Sequence, residues 1–192
     1  MKRLIPLAWL MVVGILVGAC VVASDNPAVV AEESAPVPEA WIGRWEVQNI
    51  AGEVPAVATS IEVEANADGT PQLTLHEGDR TLVLSGTLVQ IGSRWILSTH
   101  TEGAGWSIAC LEVNETGTAM TARTLDLAQV KADVSQGVVA GFVDQFGSND
   151  DIVQLTATPS QLRAYLAARP AAFGSLSASL VKLPDEEPSG TP

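Results

Sequence analysis

From Trp41 to Leu125 the chain alternates apolar and polar residues in short runs separated by turn residues. In residues 60–65, Ile61, Val63 and Ala65 alternate with Glu62 and Glu64, the period-two pattern of a half-buried strand. Trp45 and Val47 alternate in the same way within residues 44–50, and Leu73 and Leu75 within residues 72–76. Further strands are predicted over residues 81–90, with a bend at Gly86, and over 94–99, 105–113 and 118–125. Asp68-Gly69, Gly78-Asp79, Gly92-Ser93 and the Asn114 to Gly117 stretch supply the turns, because Gly, Asn and Asp tolerate positive φ. Seven consecutive strands with short connections form an antiparallel meander. Such a meander removes its exposed edges by closing into a barrel.

Beyond Leu125 the period changes. Residues 126–133 predict one or two helical turns with Asp126 as N-cap, and residues 138–143 and 152–157 predict two more strands. Thr158-Pro159-Ser160-Gln161 is a strong helix start: Thr158 caps, Pro159 occupies the first turn and Gln161 completes a capping box. The helix runs over about 159–169 and stops before Pro170. Its apolar stripe is Leu162, Tyr165 and Leu166. Residues 175–183 alternate again and predict a closing strand. The expected fold is mainly β: an antiparallel barrel of about 8–9 strands with one C-terminal helix packed on it.

The ends of the chain have a different texture. Lys2 and Arg3 precede an apolar run from Leu4 to Val17, and small residues precede Cys20, as in an export signal. The apolar run is shorter than the ~20 residues of a usual membrane-spanning helix. Residues 21–40 are rich in proline, alanine and acids, without helical or strand period. They are expected to form a flexible tether, which as a coil would span roughly 25 Å. The acidic stretch 184–192 is expected to be a disordered tail. The division is therefore residues 1–19 as signal, 20–40 as anchor and tether, 41–183 as the folded domain and 184–192 as tail.

Leu16-Val17-Gly18-Ala19-Cys20 resembles the lipobox of bacterial lipoproteins. The resemblance implies cleavage before Cys20, a diacylglyceryl thioether on its sulfur and usually a third acyl chain on the new amino terminus. Two or more chains hold a protein firmly to a bilayer, whereas one gives marginal binding. Val21 and Val22 follow in place of the aspartate that, by family habit, retains a lipoprotein in the inner membrane. The implied location is the outer membrane, facing the periplasm; the alternative is the outer face of the cytoplasmic membrane. Gly43-Arg44-Trp45, at the head of the meander, resembles the Gly-x-Trp opening of lipocalins. Carried over, Trp45 would plug the closed end of the barrel and Gly43 would let the chain pass close beneath it. With the helix after Thr158, most of 41–183 is similar to bacterial lipoproteins with a lipocalin-like domain. That resemblance implies a fold rather than an activity.

Charge narrows the partners. With Lys2 and Arg3 removed, 22 acids face 8 bases, a net charge of −14. Such a surface repels nucleic-acid backbones and anionic lipid alike, so attachment to a membrane needs the lipid. No nucleic-acid partner is expected.

The candidate chemistry is thin. His100 and Glu102 share one side of an extended chain, and His76 lies near Glu77 and Asp79, but zinc needs a third protein ligand. The reading preferred for both histidines is solvated strand ends. The acidic loop from Asp144 to Asp151 lacks the spaced ligands and terminal glutamate of a calcium loop. Glu62 and Glu64 lie on a solvated strand face. There is no Gly-x-Ser-x-Gly elbow, no phosphate-binding glycine loop and no motif tying Cys110 to a histidine, so no catalytic residue, metal or cofactor is assigned. Cys110, in an apolar run, is expected to be a small buried hydrophobe.

Trp95 and Trp106 begin consecutive strands, and one or both are candidates for the rim of a ligand-binding barrel mouth. The alternative is an interior packed solid by side chains. Three functions follow: a tethered module that binds a small apolar ligand or another envelope component, a solid-core protein-interaction lipoprotein, or, least favoured, a hydrolase built on His100 and nearby acids.

Overall fold

The computed structural model describes residues 22–50, 59–146, 150–174 and 178–184. The signal, the lipobox with Cys20 and the tail from 185 onward lie outside these residues. In chain order the strands are β1 (Val22–Ser24), β2 (Gly43–Ile50), β3 (Thr59–Ala65), β4 (Pro71–Glu77), β5 (Arg80–Ile91), β6 (Arg94–Thr101), β7 (Gly105–Val113) and β8 (Ala119–Thr124). Helix α1 (Leu127–Ser135), the hairpin β9 (Gly141–Phe146) and β10 (Asp150–Leu155), helix α2 (Pro159–Ala168) and β11 (Ala178–Lys182) follow.

Strands β2 to β8 pair with their sequence neighbours, all antiparallel, as a seven-stranded meander. β11 then lies between β8 and β2, antiparallel to both, and closes an eight-stranded barrel. The predicted closing strand is thus the eighth stave. β9 and β10 are not staves: β10 pairs in parallel with β1, and β1 meets β7 only at Ser24 and Trp106.

Alternation along the staves feeds two cores. One side of each strand fills the barrel with Trp45, Val47, Ile61, Val63, Leu73, Leu75, Leu88, Leu97, Leu111 and Leu180. The opposite side of β6 and β7 carries Ile96, Ile108 and Cys110, and these pack outward against Val130 of α1, Leu162 and Leu166 of α2, and Val153 and Leu155 of β10. A strand buried on both faces reads as a continuous apolar run, as Ile108 to Leu111 does. Both helix starts follow the sequence. The Asp126 carboxylate accepts from the Gln129 N–H, and Thr158 and Gln161 form the capping box. The first helix, nine residues long, runs slightly past the expected one or two turns and joins α2 on the barrel wall.

The stretch from 22 to 41 differs from the expected flexible tether. It forms β1 and then a strap over the barrel wall and one barrel end. Ala28 and Val29 are each 1% exposed, and Val37 and Trp41 are also buried. The Ala28 N–H donates to Ser98 Oγ at 3.0 Å, the Ala35 N–H to the Leu88 carbonyl at 2.7 Å and the Val37 N–H to the Gly69 carbonyl at 3.1 Å. The physical reason is that β5 outruns β4. Register pairing with β4 stops at Ser85, so the Leu88 backbone needs partners, and Ser34 and Ala35 supply them. Proline-rich composition fits this extended, non-periodic path as well as it fits a coil.

Candidate functional site

The sequence pointed to the barrel interior as the place for a ligand. Three tryptophans meet at the end where β5 turns into β6. Trp41 enters from the strap, Trp45 comes from β2, and the Trp45 indole N–H donates to the Trp41 carbonyl at 2.8 Å. Gly43 begins β2 at φ 123°, a conformation that favours glycine, and so lets the chain turn from the strap into the stave. Trp45 is fully buried. Trp95 stands edge-on to Trp41, with ring centroids 5.3 Å apart. The strap turn at Ala40 is also tied down, since Lys182 Nζ donates to its carbonyl at 2.9 Å.

Behind this cluster, among the described residues, lies a cavity of about 40 Å³, lined by Val37, Trp45, Leu88, Leu97, Met120, Leu180 and other apolar residues. That is little more than the ~30 Å³ one water occupies in the liquid. Small-molecule sites run to several hundred Å³ and carry a few placed polar groups. The lining here exposes no polar surface. A larger hollow of about 200 Å³ lies outside the barrel, between the strap at Ala28 to Val30 and the start of α2 at Pro159 and Ser160. Arg163 and Glu33, 3.6 Å apart and both substantially exposed, flank it.

Trp106 is not at this end. β6 and β7 are antiparallel, so residues that begin them stand at opposite ends of the barrel, and Trp106 pairs with His100 rather than with Trp95. Trp106 also projects from the outer face, where its ring lies 5.1 Å from the His100 ring. Trp95 and Trp106 therefore do not share a mouth.

The histidines are equally separate. His76 lies four residues along β4 and two strands over from His100, roughly 16 Å by strand geometry. The Thr81 hydroxyl of β5 lies 3.4 Å from His76 Nδ1, and the carboxylate within ion-pair range is Glu62 of β3, at 3.8 Å, rather than Glu77 or Asp79. That proximity depends on cross-strand register, which local spacing does not reveal. Among the described residues no three His, Cys, Asp or Glu side chains are placed to hold a metal. The acidic loop falls partly on residues 147–149, outside the described residues. Cys110 is buried, and burial pushes its thiol pKa up, so it is a poor nucleophile in the folded protein.

The polar group that local spacing missed is Asp133. It is 2% exposed on α1 and accepts a 2.9 Å hydrogen bond from the Tyr165 hydroxyl of α2. Burial, then this hydrogen bond, pushes the Tyr165 pKa well above its usual range. In the sequence Tyr165 falls on the apolar stripe of α2. The available signal was its polar tip, which needs a partner when buried. The pair clamps the two helices through this buried hydrogen bond.

Fold and interior define a class: a closed eight-stranded antiparallel barrel, consistent with a lipocalin-like barrel, with a packed centre and a second core on its outer wall. Comparison with protein-family models, curated proteins and solved structures finds no match for the chain.

Proposed function

We propose that this is a non-catalytic module of the bacterial cell envelope, anchored by lipid on Cys20 and working through its outer surface on another envelope component. The observation that carries the choice is the cavity behind the tryptophans, about 40 Å³ with no polar lining. A barrel that bound a small apolar ligand would need roughly tenfold more space. The scattered positions of His76, His100 and Cys110 support the non-catalytic part, because nucleophile and base need hydrogen-bond reach. The lipobox resemblance and the acidic mature chain support the anchored part, with delivery to the outer membrane as the favoured location.

The test is photo-crosslinking in the native host from exposed positions on the barrel wall, paired with native mass spectrometry of the purified protein. The expected outcome is a discrete crosslinked envelope partner and a protein mass free of small ligand. A small molecule that co-purifies in stoichiometric amount would overturn the solid-core choice and restore the ligand-binding one.

A further inference from the structure

We propose that the domain rests directly on the bilayer, seated on the β1–β10–β9 edge of the molecule, instead of standing off on a leash. The inference rests on the lipid-anchor reading of Cys20 and goes beyond it by fixing which face meets the membrane.

The case begins with chain length. Two residue steps separate Cys20 from Val22, a reach of at most ~7 Å. Val22 is already a strand residue, paired with Val153 of β10, and belongs to the outer-wall core. From there the chain is secured without a gap. Ser24 pairs with Trp106, the Asn26 side chain donates to the Ala157 carbonyl at 3.1 Å, and Ala28 and Val29 are almost wholly buried. Freeing a leash of useful length would expose those residues and break the strap's bonds to Ser98, Leu88 and Gly69. A lipid on Cys20 therefore holds the bilayer within about one strand spacing or two of Val22.

The surface around that point fits an uncharged bilayer. Val153 pairs onward with Val143 of β9, and its neighbour Phe142 is half exposed. Val138, just before β9, is exposed as well. Phe142 lies two strands from Ala23, roughly 10 Å. An aromatic ring held there reaches the headgroup region, where amphipathic and aromatic side chains are favourably placed. The mature chain, with 22 acids against 8 bases, disfavours anionic lipid, so the occupant is a zwitterionic surface.

The test uses full-length protein processed in a bacterial host and reconstituted into phosphatidylcholine vesicles with a nitroxide-headgroup lipid. A fluorophore is placed at Phe142→Cys or, separately, at Glu64→Cys on β3, the stave opposite β7 in the ring. Cys110 is buried and would stay unlabelled. Mass spectrometry of the amino-terminal peptide reports the lipid on each sample, and thermal melting reports that each variant is folded. Quenching is expected to be several-fold stronger at position 142 than at 64. A flexible insert of about twelve Gly/Ser residues after Val21, spanning roughly 19 Å, should erase the difference. Equal quenching at the two positions, with Cys20 lipidated, overturns the seat and leaves the anchor standing. Absence of lipid on Cys20 overturns both.

Discussion

Replacing Tyr165 by Phe tests whether the buried clamp between the two helices stabilises the outer layer. The substitution keeps the ring, which packs among Val130, Leu162 and Leu166, and removes one oxygen. Asp133 then loses the 2.9 Å donor while remaining 2% exposed. Hydrogen bonds to charged groups contribute about 1.5–3 kcal/mol, and a buried acceptor left without its donor keeps its desolvation cost. The expected loss is ~2 kcal/mol, which for a domain of this size lowers Tm by roughly 4–8 °C. Urea unfolding followed by tryptophan fluorescence measures it at neutral pH. The double variant with Asp133→Asn should show a coupling energy between the two sites of ~1 kcal/mol or more. The same pair predicts an alkaline limb. The folded Tyr165 pKa is raised, so its contribution is fully present below the unfolded value near 10. As pH rises past that value the unfolded chain releases a proton that the folded protein retains. Stability then falls, by at most ~1.4 kcal/mol per pH unit from this group. Tyr165→Phe should remove that share of the alkaline loss. A variant within 0.5 kcal/mol of the parent at pH 7, by the usual scatter of surface substitutions, would refute the view that this hydrogen bond is more than incidental.

Four further outcomes are expected. Ala28→Asp places a charge in the apolar seam beneath the strap, 1% exposed, and should destabilise by ~3 kcal/mol or more in denaturant unfolding, whereas a free tether would tolerate it. Gly86→Ala puts a methyl 2.8 Å from the Ser98 carbonyl oxygen and 3.3 Å from Leu97 Cδ1, so a loss of about 1–3 kcal/mol is expected from the same assay. Trp45→Ala should cost about 3–5 kcal/mol and open a dry apolar cavity, and indole in the buffer should recover part of the lost Tm. Cys110 should resist maleimide at neutral pH in the folded protein and react fully in denaturant, and rapid native labelling would contradict its burial.

How far each element was legible follows from where its determinants lie. The staves from β2 to β8 carry their own alternation and their own turn residues, so strands and meander could be read locally. The N-cap at Asp126 and the capping box at Thr158 are local too. Placement of β9 and β10 was not legible, because any apolar run predicts a strand and none predicts its neighbour. The strap was misread for a related reason. Its hydrogen bonds go to Ser98, Leu88 and Gly69, 70, 53 and 32 positions away, and leave no periodic trace. Trp95 and Trp106 were grouped because each begins a strand, although antiparallel pairing separates the beginnings of neighbouring strands by a full strand length. Parity also divides them, since residues an odd number apart across this register face opposite sides of the wall.

That parity bears on where activity can reside. β6 and β7 are coated on both faces, inward by the barrel core and outward by α1, α2 and β10. This leaves β2, β3, β4, β8, β11 and the first half of β5 with an open outer face, where Arg44, Glu62, Thr74, Val83, Arg123 and Val181 stand. In the eight-stave ring, β3 lies opposite β7, the stave that β1 meets. If the lipid draws the β1 side onto the membrane, the open wall points away from it. On the proposed reading, a cavity of about 40 Å³ leaves a partner only the outer wall to recognise, and the anchor geometry would present that wall to the periplasmic space. Substitutions such as Glu62→Lys or Val181→Asp should then reduce partner crosslinking while leaving the melting temperature nearly unchanged, since exposed positions usually shift stability by within ~0.5 kcal/mol. Crosslinking that survives both changes but is lost on altering the β9 edge would reverse the orientation argued here.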